Sequence, residues 1–144
     1  SAMLRSLVGS EMCIRDRIIY LDAVNHRYVE EVGAANFFCI KDKVLYTPEL
    51  TGTILPGITR LSVIELARSL GYQVLETKVD IDFAMDADEA FYTGTAVEIT
   101  PITKVNESKI GAGSIGPITD ILQNKYSEIV CGQDKNYADW LTVI

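Results

Sequence analysis

Gly52-Thr53-Ile54-Leu55-Pro56-Gly57-Ile58-Thr59-Arg60-Leu61-Ser62-Val63-Ile64-Glu65-Leu66-Ala67-Arg68-Ser69-Leu70-Gly71 is the stretch on which the fold turns. From Ile58 onward Leu61, Ile64, Ala67 and Leu70 recur at helical period, and Gly71 supplies the left-handed residue that stops a helix. Thr51 to Gly57 reads as the loop that leads into it. On the amino-terminal side the patterns are those of strands. Arg17 to Asp22 is an apolar run, and Tyr28 to Ile40 alternates well enough to be one strand. Asp42-Lys43 then turns the chain, and Val44 to Thr47 pairs back as far as Pro48, which has no N–H with which to extend a ladder. On the carboxyl-terminal side Leu75, Thr77, Val79 and Ile81 alternate along a strand face, and Asp86-Ala87-Asp88-Glu89 has the form of a capping box opening a short helix. Phe91 to Ile102 returns to strand, interrupted at Gly94. Pro117 suits the first turn of a last long helix with Ile118, Ile121, Leu122 and Ile129 on one face and Gly132 closing it, and Trp140 in the tail is expected to pack. Strands and helices interleave, which predicts a mixed α/β domain.

Composition narrows the function classes. The 144 residues are 48% hydrophobic, enough for one real core. Net charge is -7 and the isoelectric point about 4.6, with no basic stripe for a phosphate backbone, so no nucleic acid partner is expected. The longest apolar runs are strand-length, too short to cross a bilayer as helices. Cys13, Cys39 and Cys131 form no CxxC pair and have no His partner at zinc spacing, which argues for a reducing cytoplasm and no metal.

Three places can carry chemistry. Leu55-Pro56-Gly57-Ile58-Thr59-Arg60 puts a Pro-Gly turn directly before a helix start, so the Ile58 and Thr59 N–H groups point outward at the positive end of the helix dipole, an arrangement that holds phosphate. The Thr59 hydroxyl and the Arg60 charge would add to it, although the same residues begin many helices that bind nothing. Thr93-Gly94-Thr95-Ala96 breaks a strand pattern with small residues, which lets a ligand approach the backbone at Thr95, or simply marks a bulge. Glu30-Glu31 lies in a strand-like run, where period-2 alternation sends the two carboxylates to opposite sides. One of them would then face inward and need a partner, while the plain alternative pairs it with Arg27 or a lysine. His26 has no Ser or Cys companion at a telling spacing and reads as a surface or strand-end residue.

Taken in order, Tyr28-Val29-Glu30-Glu31-Val32-Gly33-Ala34-Ala35-Asn36, Gly52 to Arg60 and Gly94-Thr95-Ala96 resemble the class IV (fold type IV) aminotransferases, and Leu21-Asp22-Ala23-Val24 with Asp139-Trp140 resembles their branched-chain members. The resemblance runs from Ile18 to the end. It implies the large C-terminal domain of such an enzyme, a barrel-like sheet with outer helices, and pyridoxal 5'-phosphate as cofactor. It also implies that Glu31 binds the pyridine nitrogen, Leu55 packs on the ring, Ile58, Thr59 and Thr95 hold the phosphate, and Thr95 and Ala96 face the substrate carboxylate. The parent reaction would move an amino group between leucine, isoleucine or valine and 2-oxoglutarate in branched-chain amino acid metabolism. In this family a lysine upstream of the glutamate forms the Schiff base; here Lys41, Lys43, Lys78, Lys104, Lys109, Lys125 and Lys135 all follow Glu31, so no catalytic residue is assigned and weak cofactor binding without turnover is expected. Val97 and Thr100 stand where vertebrate members carry a redox cysteine pair, so no thiol switch is expected.

Rival readings are a D-amino acid aminotransferase, an aminodeoxychorismate lyase, or a non-catalytic phosphate-binding module. An apolar face left by a missing partner domain would favour a homo-oligomer. Ser1-Ala2-Met3 has the form of a cloning scar, and Leu4 to Arg17 resembles translated sequencing-adapter sequence. Residues 1–17 are therefore expected to be scar plus foreign leader and 18–144 a truncated cofactor-binding domain, the alternative for Leu4 to Arg15 being an amphipathic helix.

Overall fold

The computed structural model describes residues 3–6, 17–33, 35–50, 54, 56–94, 98–105 and 108–130. β1 (Met3–Ser6) pairs antiparallel with β2 (Arg17–Leu21). Next come β3 (Val29–Val32), β4 (Ala35–Lys41) and β5 (Val44–Pro48), each antiparallel to the one before. α1 (Ile58–Ser69) then carries the chain to β6 (Gln73–Thr77), which lies parallel to β5. A short α2 (Ile81–Met85) leads to the antiparallel pair β7 (Glu89–Gly94) and β8 (Glu98–Pro101). The short strands β9 (Lys104–Val105) and β10 (Ser108–Lys109) precede α3 (Pro117–Val130). Among the described residues the strands join one ten-stranded sheet in the order β10-β9-β1-β2-β3-β4-β5-β6, with β7 on the other flank of β4 and β8 beyond β7. Among the described residues that path stays open, so the fold is a mixed sheet with helices on it rather than a closed barrel.

β4 sits at the centre because its residues are apolar on both sides. Phe37 and Cys39 point to a core shared with Ile19, Val29, Val32, Tyr92 and the α2 segment. Phe38 and Ile40 point to the opposite core, filled by Val63, Ile64 and Leu66 of α1 and Leu122 and Ile129 of α3. Phe38 stacks on Phe91 with centroids 4.9 Å apart, which ties β4 to β7. The α3 face read from the sequence is the one buried, except that Ile121 remains 45% exposed, whereas the α1 face is turned: Ile64 and Ala67 are buried with Val63 and Leu66, while Leu61 and Leu70 stay exposed.

Several expectations need correction. The run Tyr28 to Ile40 is two strands, because Gly33 adopts φ 60 and reverses the chain so that Val32 pairs with Ala35. Alternation past Thr77 does not continue as strand: Ile81 opens α2, capped by the Asp80 carboxylate, which accepts from Asp82 N–H at 2.8 Å. Asp86 ends that helix and Glu89 begins β7, so Asp86 to Glu89 is no capping box. Met3–Ser6 is strand, so the amphipathic helix does not form there. The Asp42-Lys43 turn is as expected, both residues at positive φ (52 and 65) as tight hairpins require. Gly132 and Trp140 lie outside the described residues.

Candidate functional site

Register places the carboxylates. Tyr20 pairs with Glu31 but Leu21 pairs with Val29, so Glu30 is an extra residue bulged out of the ladder. A bulge cancels one step of alternation. Val29 and Val32 therefore both enter the same core, and Glu30 and Glu31 both lie half-buried on the other side, not on opposite sides as simple alternation predicts.

Directly opposed residues share a sheet face, with Cβ atoms ~5 Å apart. Glu31 is opposite Asn36, Asn36 is opposite Thr93, and Thr93 is opposite Ile99. This row crosses β3, β4, β7 and β8 on the face that carries α1 and α3. The start of α1 comes down onto the same row: a Cβ placed on Gly57, the residue capping α1, would lie 2.5 Å from Asn36 Oδ1. Gly57 itself has φ -66, open to any residue, so close approach alone demands glycine here. Having no side chain, it cannot accept from the first-turn amides of α1. Glu31 and the start of α1 thus both adjoin Asn36 on one face of the sheet. The Thr93 hydroxyl, on the far side of Asn36, is wholly buried and has no hydrogen-bond partner.

Of the residues picked from the sequence, Glu31 and Thr59 are half-buried and buried respectively in this arrangement, and the Ile58 side chain is 82% exposed at the helix start. Leu55, Thr95 and Ala96 lie outside the described residues. Arg60 differs from expectation: its guanidinium is buried beneath α1, donating to Glu76 Oε1 at 2.8 Å and Pro48 O at 3.2 Å, so its charge is spent on holding α1 to β5 and β6. Arg27 pairs with Asp80. Asn36 and Thr93 stand within the motifs read from the sequence, but neither of them was given a role there. The signal was present at Asn36, a polar side chain near the start of a central strand whose Phe37 to Ile40 are all apolar.

Beside this region the chain turns at Asp22. Its carboxylate accepts from Tyr28 N–H (2.8 Å), Arg27 N–H (2.9 Å) and Asn25 N–H (2.7 Å), and these donors, Tyr28 foremost, pull its pKa from 3.8 down to about 2. A carboxyl whose folded pKa is depressed stabilises the fold above its unfolded value and loses that contribution as pH falls through the folded one. The melting-temperature gap between the native chain and Asp22→Ala should therefore be full at pH 6 and narrow between pH 4 and 2; a gap that stays constant across that range would contradict the turn's role. His26, in the same turn, is exposed at φ 51. Burial pushes the Cys39 thiol up to about 12, so it is an inert core residue.

Residues 15–105 match the model of the class IV amino-transferases. The chain belongs to that family. It is 46% identical over 117 residues to a branched-chain-amino-acid aminotransferase of Pseudomonas aeruginosa, covering 81% of this chain and 38% of that protein. A probable branched-chain-amino-acid aminotransferase of Staphylococcus aureus is 40% identical over 139 residues, 90% of this chain and 39% of that one. Among solved structures, the Thermobaculum terrenum branched-chain aminotransferase in its PLP form superposes with a TM-score of 0.84 at 39% identity over 95% of this chain and 45% of that one. The T.th. branched-chain amino acid aminotransferase with pyridoxamine 5'-phosphate superposes at 0.82 and 40% identity, over 86% of this chain and 40% of that one. This class IV aminotransferase chain thus spans less than half the length of these relatives.

Proposed function

We propose that this chain is the cofactor-holding part of a branched-chain amino acid aminotransferase, a cytoplasmic enzyme that moves an amino group between leucine, isoleucine or valine and 2-oxoglutarate using pyridoxal 5'-phosphate. The observation that carries the reading is the shared face: a carboxylate at Glu31 and the helix start of α1, both adjoining Asn36. The residues present suit the group. Glycine at position 57 leaves room for close approach, the first turn of α1 offers amides to an anion, and the carboxylate is the acceptor type a protonated pyridine needs. The T.th. relative also forms a complex with 4-methylvaleric acid, which has the carbon skeleton of leucine.

Glu31 would keep the ring nitrogen protonated, each unit by which it raises that pKa being worth about 1.4 kcal/mol. When bound, the cofactor supplies an electron sink for the substrate carbon that loses its proton. The Ile58 and Thr59 amides and Thr95 would hold the phosphate, aided by a positive partial charge of roughly half an elementary unit at the start of α1. Leu55 would pack on the ring, and the Thr95 and Ala96 N–H groups would orient the substrate carboxylate.

Pyridoxamine 5'-phosphate is the suitable probe, because its amine cannot condense with surface lysines. It should raise the melting temperature of the chain saturably. Glu31→Gln, which keeps the shape and removes the charge, should weaken that binding about tenfold, as expected for loss of a charge-assisted bond. No thermal shift at millimolar probe, or equal affinity in the variant, would sink the assignment.

A further inference from the structure

We infer that Asn36 is a positioning residue that sets the span between the ring-binding carboxylate and the phosphate-binding helix start; the inference rests on the cofactor reading above. A ligand held at both ends binds well only if the two ends of its site are the right distance apart, since the second contact is then made at high effective concentration. Here that distance is fixed by one amide side chain. On one side Asn36 adjoins Glu31 across the β3–β4 ladder, and above it Gly57 rests so closely that a single added carbon would reach Oδ1 at 2.5 Å.

The side chain is in a place that can hold a span. It is buried, 6% exposed, and its strand is paired along both flanks, with β7 on one and β3 and β5 on the other. A strand so held cannot shift to follow a ligand. α1 is anchored independently at its third residue by Arg60 bound to Glu76 and Pro48 O, so the helix start is pinned between that anchor and Asn36. The second neighbour across the ladder, Thr93, presents a buried hydroxyl with no partner, which keeps this part of the row polar under the helix start when the surrounding core is apolar.

Three probes separate positioning from mere support: pyridoxamine 5'-phosphate, pyridoxamine and inorganic phosphate, each titrated by thermal shift and fluorescence against the full chain. For Asn36→Ala the affinities for pyridoxamine and for phosphate should stay within about twofold of native, while that for pyridoxamine 5'-phosphate falls tenfold or more, because only the linked ligand senses the span. Asn36→Asp keeps the size under Gly57 but sets a negative charge at the helix start, so phosphate and pyridoxamine 5'-phosphate should weaken while pyridoxamine does not. An equal loss for all three probes, or no loss for the linked one in either variant, overturns the role of Asn36 and leaves the cofactor reading standing. A native chain that binds neither pyridoxamine nor its phosphate overturns both.

Discussion

Replacing Glu89 by alanine is expected to lower the unfolding free energy by about 2–4 kcal/mol, read as a fall in the urea midpoint at unchanged slope. The carboxylate is buried, 6% exposed, and accepts from Thr119 N–H at 2.7 Å and Ile118 N–H at 3.2 Å. It is thus the cap of α3, supplied by a strand 29 and 30 residues earlier in the chain. Removing it leaves two largely buried donors without their acceptor, next to the positive end of a helix dipole, and such a loss costs more than the bond itself was worth. Gly116 fits the same account, since a Cβ there would collide with the Glu89 carboxylate at 2.1 to 2.3 Å. Glu89→Gln, which can still accept one bond, should cost less than half as much. A midpoint unchanged in Glu89→Ala would mean that α3 is capped by something else.

The second large effect is expected at Gly57. Gly57→Ala should destabilise the chain by roughly 1–3 kcal/mol, the usual cost of forcing a carbon into filled space, and should weaken pyridoxamine 5'-phosphate by tenfold or more. The backbone angle there suits alanine, so the whole effect must come from the contact with Asn36. That makes it testable by a double-mutant cycle: Gly57→Ala and Asn36→Ala together should cost clearly less than the sum of the two alone. Strict additivity would show that the two residues do not touch in solution.

Much of the local structure was legible in the chain. α1, its stop at Gly71, the Asp42-Lys43 turn and the Pro117 start of α3 all stand where period and turn chemistry put them, because each depends on residues a few positions apart. The errors came where two local rules competed. Tyr28 to Ile40 alternates like one strand, yet a glycine free to take positive φ folded it into two. Glu89 follows Asp86 at capping-box spacing, yet its carboxylate serves a helix it meets only after β7 and β8 have packed.

By itself the sequence determined the mixed α/β class, the glutamate, the glycine before a helix and the family they belong to, since these are written in residue type and near-neighbour spacing. Tertiary structure alone decided which way Glu31 faces and what stands beside it. One bulged residue in the β2–β3 ladder reverses the side to which every later side chain of that strand points, and no periodicity within the strand reveals a bulge that exists only relative to its partner.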